Sequence, residues 1–243
     1  MGKLYVGNSG STPAIIKVEE VPKVKFGLTV DTFLGDIDEN GMLSSTVAPD
    51  YFDGTGIKIL SAFSLNNAFY RRRISRVNLK DLELIYAYAG DGAFHTSGSK
   101  EIDLSNLTTI SGDYACYNMF YNCSIDYINL EKLTTISGNY ACQYMFSKSA
   151  ATTIILNNLT TISGTFACQY MFQGANVSRV DFPSLTTVDK TNAMGSSSSN
   201  GMFANCNKLL EIHFRVDAQA VIESLFGYSS KFGAKNATIY FDL

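Results

Sequence analysis

One fourteen-residue phrase occurs three times at a fixed interval: Leu107–Phe120 (LTTISGDYACYNMF), Leu133–Phe146 (LTTISGNYACQYMF) and Leu159–Phe172 (LTTISGTFACQYMF). The second and third copies agree at 12 of 14 positions. The twelve-residue blocks that follow them (YNCSIDYINLEK, SKSAATTIILNN and QGANVSRVDFPS) share 2 of 12 positions in the first pair and none in the second. A period of about 26 residues means stacked units, none of which can bury its apolar face without a neighbour. A constant phrase alternating with a free one predicts a solenoid with a fixed scaffold and a variable surface.

Each unit begins with apolar residues two apart, Ile102 and Leu104, Ile128 and Leu130, Ile154 and Leu156, Val180 and Phe182. That alternation describes a half-buried strand. Leu107, Leu133, Leu159 and Leu185 continue the apolar spine, followed by Ile110, Ile136, Ile162 and Val188. The segment YACQYMF, apolar at i, i+1, i+4 and i+5, predicts a short helical turn on the opposite side. Backwards, Val77, Leu79, Leu82 and Ile85 lead to Ala93 and Phe94, and Ala68-Phe69 ends a degenerate first unit. Forwards, GSSSSNG (Gly195–Gly201) interrupts a fourth phrase as an inserted, mobile surface loop. Strand Leu210–Phe214, a helix over Asp217–Phe226 and a strand over Ala237–Leu243 sealing the open end complete the chain.

With 46% apolar and 17% charged residues there is ample material for an ordered core. The net charge of −3 offers no basic field, so neither nucleic acid nor an anionic membrane surface is an expected partner. The opening MGKLYVGNSG lacks the apolar core of a signal peptide, Val6 stands where N-myristoylation wants Ser or Thr, and no run is long enough to span a bilayer. Cys116, Cys142 and Cys168 recur at the repeat period inside Ala-Cys, and Cys123 and Cys206 both follow Met-Phe-x-Asn. Periodic placement predicts columns of small buried thiols, not disulfides or metal ligands.

The pattern L-x-x-I-x-x-x-x-A-x-x-x-M-F-x-N-C, with its following I-x-L strand, resembles the BspA-type leucine-rich repeats over roughly residues 57–214. MFYNC and MFANC match the family's corner between helix and strand. Cys replaces the aromatic usual after the helical Ala, and the units are longer than many in the family. The resemblance implies surface attachment and host-protein binding without catalysis. The expected fold is an α/β right-handed leucine-rich-repeat solenoid, parallel strands plus short helices, over residues 51–214, with a helix–strand cap over residues 215–243. Residues 1–50 differ in texture, with strands expected at Lys3–Gly7, Ala14–Val18 and Lys23–Val30 in a small β-rich module. KLYVGNSGS and PKVKFGLTVD resemble N-terminal modules of phage and prophage tail-fibre proteins of gut bacteria. That similarity implies an attachment module, leaves homo-oligomerisation through it open, and points to a virion tail or an extracellular surface.

Asp36, Asp38 and Asn40 match the first half of an EF-hand loop, but Val47 stands where calcium needs a bidentate Glu. A hairpin turn around Glu39-Asn40-Gly41 accounts for these residues better, and no metal is expected. His95 and His213 lie in separate units without a nucleophile or zinc motif, and no phosphate-binding or dinucleotide fingerprint is present. Arg71-Arg72-Arg73 reads as a solvated corner. The N-x-S/T sequons at Asn106, Asn122, Asn158, Asn176 and Asn236 are explained largely by the repeat's own turns. No enzyme and no cofactor are expected.

If Ile128 and Leu130 point inward, their neighbours point out. That register assigns one outward column to Arg76, Glu101, Tyr127, Thr153, Arg179 and Glu211. A second column holds Asn78, Asp103, Asn129, Ile155, Asp181 and His213. Both mix charge signs, hydrogen-bonding groups and apolar side chains on an extended face of the kind solenoids use for binding. The expected function is recognition of a cell-surface protein or glycan, as a phage or phage-like tail receptor-binding protein. A bacterial surface adhesin for host matrix proteins is the alternative; a glycan hydrolase would need a carboxylate pair assembled between coils.

Overall fold

Two strand layers run along the solenoid, one continuous and one interrupted. The computed structural model describes residues 4–6, 14–16, 51–60, 64–71, 74 and 76–243. The expected strand Lys23–Val30 and the Asp36–Gly41 turn lie outside the described residues. Of the N-terminal segment, β1 (Leu4–Val6) and β2 (Ala14–Ile16) form an antiparallel pair. The described residues from Tyr51 onward form a parallel solenoid of about seven turns, as the repeat requires.

Each coil contributes to two strand layers. The L-x-x-I segment supplies β4 (Ile59–Leu60), β6 (Leu84–Ile85), β8 (Thr109–Ser111), β10 (Thr135–Ser137), β12 (Thr161–Ile162) and β14 (Thr187–Val188), one continuous parallel sheet. The variable blocks supply the other layer in three pieces. These are β3 (Tyr51–Asp53), β5 (Arg76–Asn78) and β7 (Glu101–Asp103); β9 (Tyr127–Asn129) and β11 (Thr153–Ile155); and β13 (Arg179–Phe182), β15 (Glu211–Phe214) and β16 (Thr238–Phe241). The first break, between β7 and β9, coincides with a change in coil length, whereas the second, between β11 and β13, falls where the coil length is unchanged. Tyr51, Arg76 and Glu101 pair in equal steps in the first piece, and the step from Tyr127 to Thr153 in the second is one residue longer. In the third, the steps from Arg179 to Glu211 and from Glu211 to Thr238 are longer still and unequal.

The constant phrase is held constant by contacts between coils. Leu107, Ile110, Leu133, Ile136, Leu159 and Ile162 are all buried. The Thr134 hydroxyl donates to the Thr108 carbonyl at 3.1 Å, and Thr160 to Thr134 at 3.0 Å. Gly138 has φ +107°, and a Cβ there would lie 2.3 Å from the Gly112 carbonyl carbon. Only glycine meets both demands.

The expected short helices are replaced by a ladder of turns. Tyr114, Asn118 and Asn122 take positive φ, as do Tyr140, Tyr144 and Lys148, every fourth residue. Intervening N–H groups close short turns, such as Met119 to the Cys116 carbonyl at 3.1 Å. The alternate ones cross to the next coil: Cys116 to Ala141 at 2.7 Å, Asn118 to Gln143 at 3.0 Å, Phe120 to Met145 at 2.9 Å. Spacing is the reason. An α-helix is about 10 Å across, whereas hydrogen-bonded strands stack about 4.8 Å apart. The buried rings Phe69, Phe94, Phe120, Phe146, Phe172 and Phe203 stack at 5.2 to 5.9 Å on this side, leaving no width for helices.

All five cysteines are buried free thiols, and burial holds Cys142 and Cys168 well above the usual thiol range. The inserted loop is organised, since Asn200 Oδ1 accepts the Ser196 and Ser197 N–H groups at 2.8 Å each. At the C-terminal end a 3-10 turn (Val216–Ala218) runs into α1 (Gln219–Glu223), and a second 3-10 segment follows at Tyr228–Gly233. The last strand, β16, pairs in parallel with β15.

Candidate binding face

The outward register holds for most of the first column. Arg76, Glu101, Tyr127, Thr153 and Arg179 are exposed and Glu211 is half-buried, with Tyr127, at 49%, the most open aromatic of the strand face among the side chains described. Ion pairs run along this column. Arg76 Nε lies 3.1 Å from Glu101 Oε2, and Arg179 reaches Asp181 at 2.8 Å and Glu211 at 3.6 Å. Carboxylates beside Arg179, Asp181 first, push its guanidinium above the usual arginine value. Such exposed pairs contribute little to stability. They leave Tyr127 and Thr153 as a neutral centre between two charged ends.

The second column divides. Asn78, Asp103 and Asn129 accept the backbone N–H of Lys80, Ser105 and Glu131 at 3.0 to 3.1 Å, each closing a turn two residues on. These Asx turns end the strands, so part of the column's polarity is local architecture. Ile155 and Asp181 are half-buried. His213 departs from the expected outward placement. It is 6% exposed, stacks on Tyr240 at 4.7 Å, and places Nδ1 2.7 Å from Asp242 Oδ1 and Nε2 3.4 Å from Glu211 Oε2. Its register is as expected, but β16 stacks on β15 and covers the imidazole. His213 is therefore a tie for the last strand, not an open contact residue.

No ladder links β7 to β9 among the described residues, although they belong to consecutive coils. This seam falls where the coil lengthens by one residue. Over it opens a cleft of about 610 Å³ lined by Arg76, Val77, Lys100, Glu101, Ile102, Asp103, Ser105, Asp126, Tyr127 and Asn129. Five of the twelve expected face residues therefore converge there, whereas Thr153, Ile155, Arg179, Asp181, Glu211, His213 and Asn78 do not line it. Lys100 and Asp126 lie outside both expected columns. They occupy equivalent positions one residue before their strands, where the alternation rule does not yet hold.

The profile of the BspA-type leucine-rich repeat region matches six copies across residues 65–199, more than half of the chain. The chain belongs to the BspA-type leucine-rich repeat family. No curated protein and no solved structure matches it. BspA-type repeats point to a protein-interaction or adhesion role, and solenoids of this family are typically non-catalytic. Among the described residues no helix is long and apolar enough to cross a membrane, and no group of three or more His, Cys, Asp and Glu side chains is arranged to hold a metal ion.

The BspA-type turn side carries an aromatic belt that the strand-based reading missed. Tyr88, Tyr114, Tyr140 and Phe166 stack at 5.1 to 5.8 Å, and Tyr144 stacks on Tyr170 at 4.6 Å. Crowding in that stack, burial first, raises the Tyr144 phenol to about 12. His95 lies between Tyr70 and Tyr121, with centroids 4.7 and 4.6 Å away, and burial lowers its pKa. The rings satisfy one another along the stack, which is a structural role.

Proposed function

We propose that the chain is a non-catalytic recognition protein that binds a protein or glycan on a cell surface through the strand face around Tyr127. The observation that carries this reading is the cleft over the seam. There an exposed aromatic ring and groups of both charge signs converge on a scaffold with a buried apolar spine. Solenoids bind through extended faces built from their stacked repeats, and this cleft lies on such a face.

In this reading the carrier is a phage or phage-like tail, on the similarity of KLYVGNSGS and PKVKFGLTVD to tail-fibre modules. Membership of the BspA-type family favours a second carrier, a bacterial surface adhesin for host matrix proteins. Neighbouring genes for tail or baseplate proteins support the first; a cell-wall anchor encoded with the chain supports the second. The test of the shared claim is a pull-down against bacterial cells and extracellular-matrix proteins. It compares wild type with the folded variant Arg76→Ala, Tyr127→Ala, Arg179→Ala. Capture that is undiminished in the variant removes the strand face from the account.

A further inference from the structure

We infer that the cleft between β7 and β9 takes a neutral oligosaccharide, with one sugar ring lying against Tyr127. This rests on the strand face being the contact surface and names the chemistry of its ligand. The volume of about 610 Å³ falls within the range of sites for small ligands. Its lining disfavours an apolar one. Of its apolar residues Val77 is fully buried and Ile102 half-buried, so among the described residues the Tyr127 ring is the one substantial apolar surface a ligand meets there. A flat ring set among polar groups suits a molecule with one C–H face and a rim of hydroxyls.

The hydrogen-bonding groups match that rim. Among the described residues the side chains of Lys100 and Asp126 have no hydrogen bond or ion pair within the chain. Asp103 gives one carboxylate oxygen to the Ser105 N–H, and Glu101 gives one to Arg76, so each keeps another for a ligand. Carboxylates accepting from vicinal hydroxyls form charge-assisted hydrogen bonds, about twice as strong as neutral ones. Charge excludes an anionic ligand. Glu101, Asp103 and Asp126 face two cations, one of which, Arg76, is already paired. An extended peptide is disfavoured too, because β7 and β9, though unpaired, lie against each other across the seam and leave no room for an added strand.

The test is calorimetric titration with soluble neutral glucan, mannan, galactan and N-acetylglucosamine oligosaccharides, alongside a sulfated heparin-derived oligosaccharide. At least one neutral probe should bind. Tyr127→Ala should weaken it about tenfold or more, and Asp126→Asn about tenfold, with Tyr127→Phe retaining the ring and most of the affinity. Preference for the sulfated probe, or affinity indifferent to both Tyr127→Ala and Asp126→Asn, overturns the inference. The pull-down separates it from the broader reading. If no neutral probe binds while cell capture still depends on Tyr127, the oligosaccharide is wrong and the face stands; if capture ignores Tyr127 and Asp126, both fall.

Discussion

Asp91→Asn should make the protein more stable at neutral pH and flatten part of its pH dependence. Asp91 stands in a column with Asn66, Tyr117, Gln143 and Gln169, and it is the only ionisable carboxylate there. The Asn66 amide donates to Asp91 Oδ2 at 3.3 Å, too weak to offset desolvation. Burial therefore raises the Asp91 carboxyl to about 6 from 3.8. Below pH 3.8 the folded and unfolded chains are both protonated and the group costs nothing. Between 3.8 and 6 the folded state holds the proton more tightly, so its contribution declines as pH rises, and above 6 it stays at its lowest value. The full linkage would be about 3 kcal/mol. Asp91 is only half-buried, so solvent screening reduces this to roughly 1–2 kcal/mol.

Asparagine preserves an acceptor for Asn66 and removes the charge. Urea denaturation followed by far-UV circular dichroism should show the variant about 1–2 kcal/mol more stable at pH 7.5, with the difference vanishing towards pH 4. Stacked repeats unfold in sections, so amide exchange in residues 64–94 at pH 7.5 supplies the local reading. A variant that is less stable at pH 7.5, or a difference independent of pH, refutes the desolvation argument.

Other positions give equally direct tests. Gly138→Ala places a methyl group 2.3 Å from the Gly112 backbone at φ +107°, and thermal melting should report a loss of about 3 kcal/mol or more. Ser149 Oγ is buried without a partner, whereas Ala175 occupies the equivalent place in the next coil; Ser149→Ala should therefore stabilise by about 1 kcal/mol, and a lower melting temperature counts against that reading. The five buried thiols should react with Ellman's reagent only on unfolding; rapid titration of Cys116, Cys142 or Cys168 in the native protein contradicts their packing.

The parallel strands, the buried spine and the outward register were legible because a period-two pattern repeated in every coil carries its own checks. The helical turn was misread for a definable reason. YACQYMF has helix-compatible spacing, but hydrogen-bonded coils set an axial distance too small for a helix, and that constraint appears only once the coils are stacked. His213 shows another blind spot. Its register was assigned from β15 alone, while its burial depends on β16, which joins the sheet only after the C-terminal helical segments. The cleft was only half visible, since strand alternation found Arg76, Glu101, Asp103, Tyr127 and Asn129 but says nothing about Lys100 and Asp126 at the strand entry.

The structure also changes what the constant phrase means. The phrase keeps its first threonine because the hydroxyl bonds to the preceding coil, and its glycine because the neighbouring backbone fills the space of a Cβ. Its invariance therefore says little about selection on the exposed strands. A perfectly regular solenoid would present equivalent positions on every coil and no preferred site. A site arises where the translation fails. The continuous sheet β4 to β14 runs through the one-residue lengthening of the coil without a break, whereas the opposite layer is interrupted there, between β7 and β9, and again between β11 and β13, where the coil length is unchanged. Removing the added residue, by deleting Gly112, matches the coils of β7 and β9 and moves the length mismatch on to β9 and β11, so the β7–β9 ladder should form and the cleft close. Loss of ligand capture in that deletion, with the buried spine still protected from amide exchange, would tie recognition to the break in the repeat; retained capture would show that the seam is incidental.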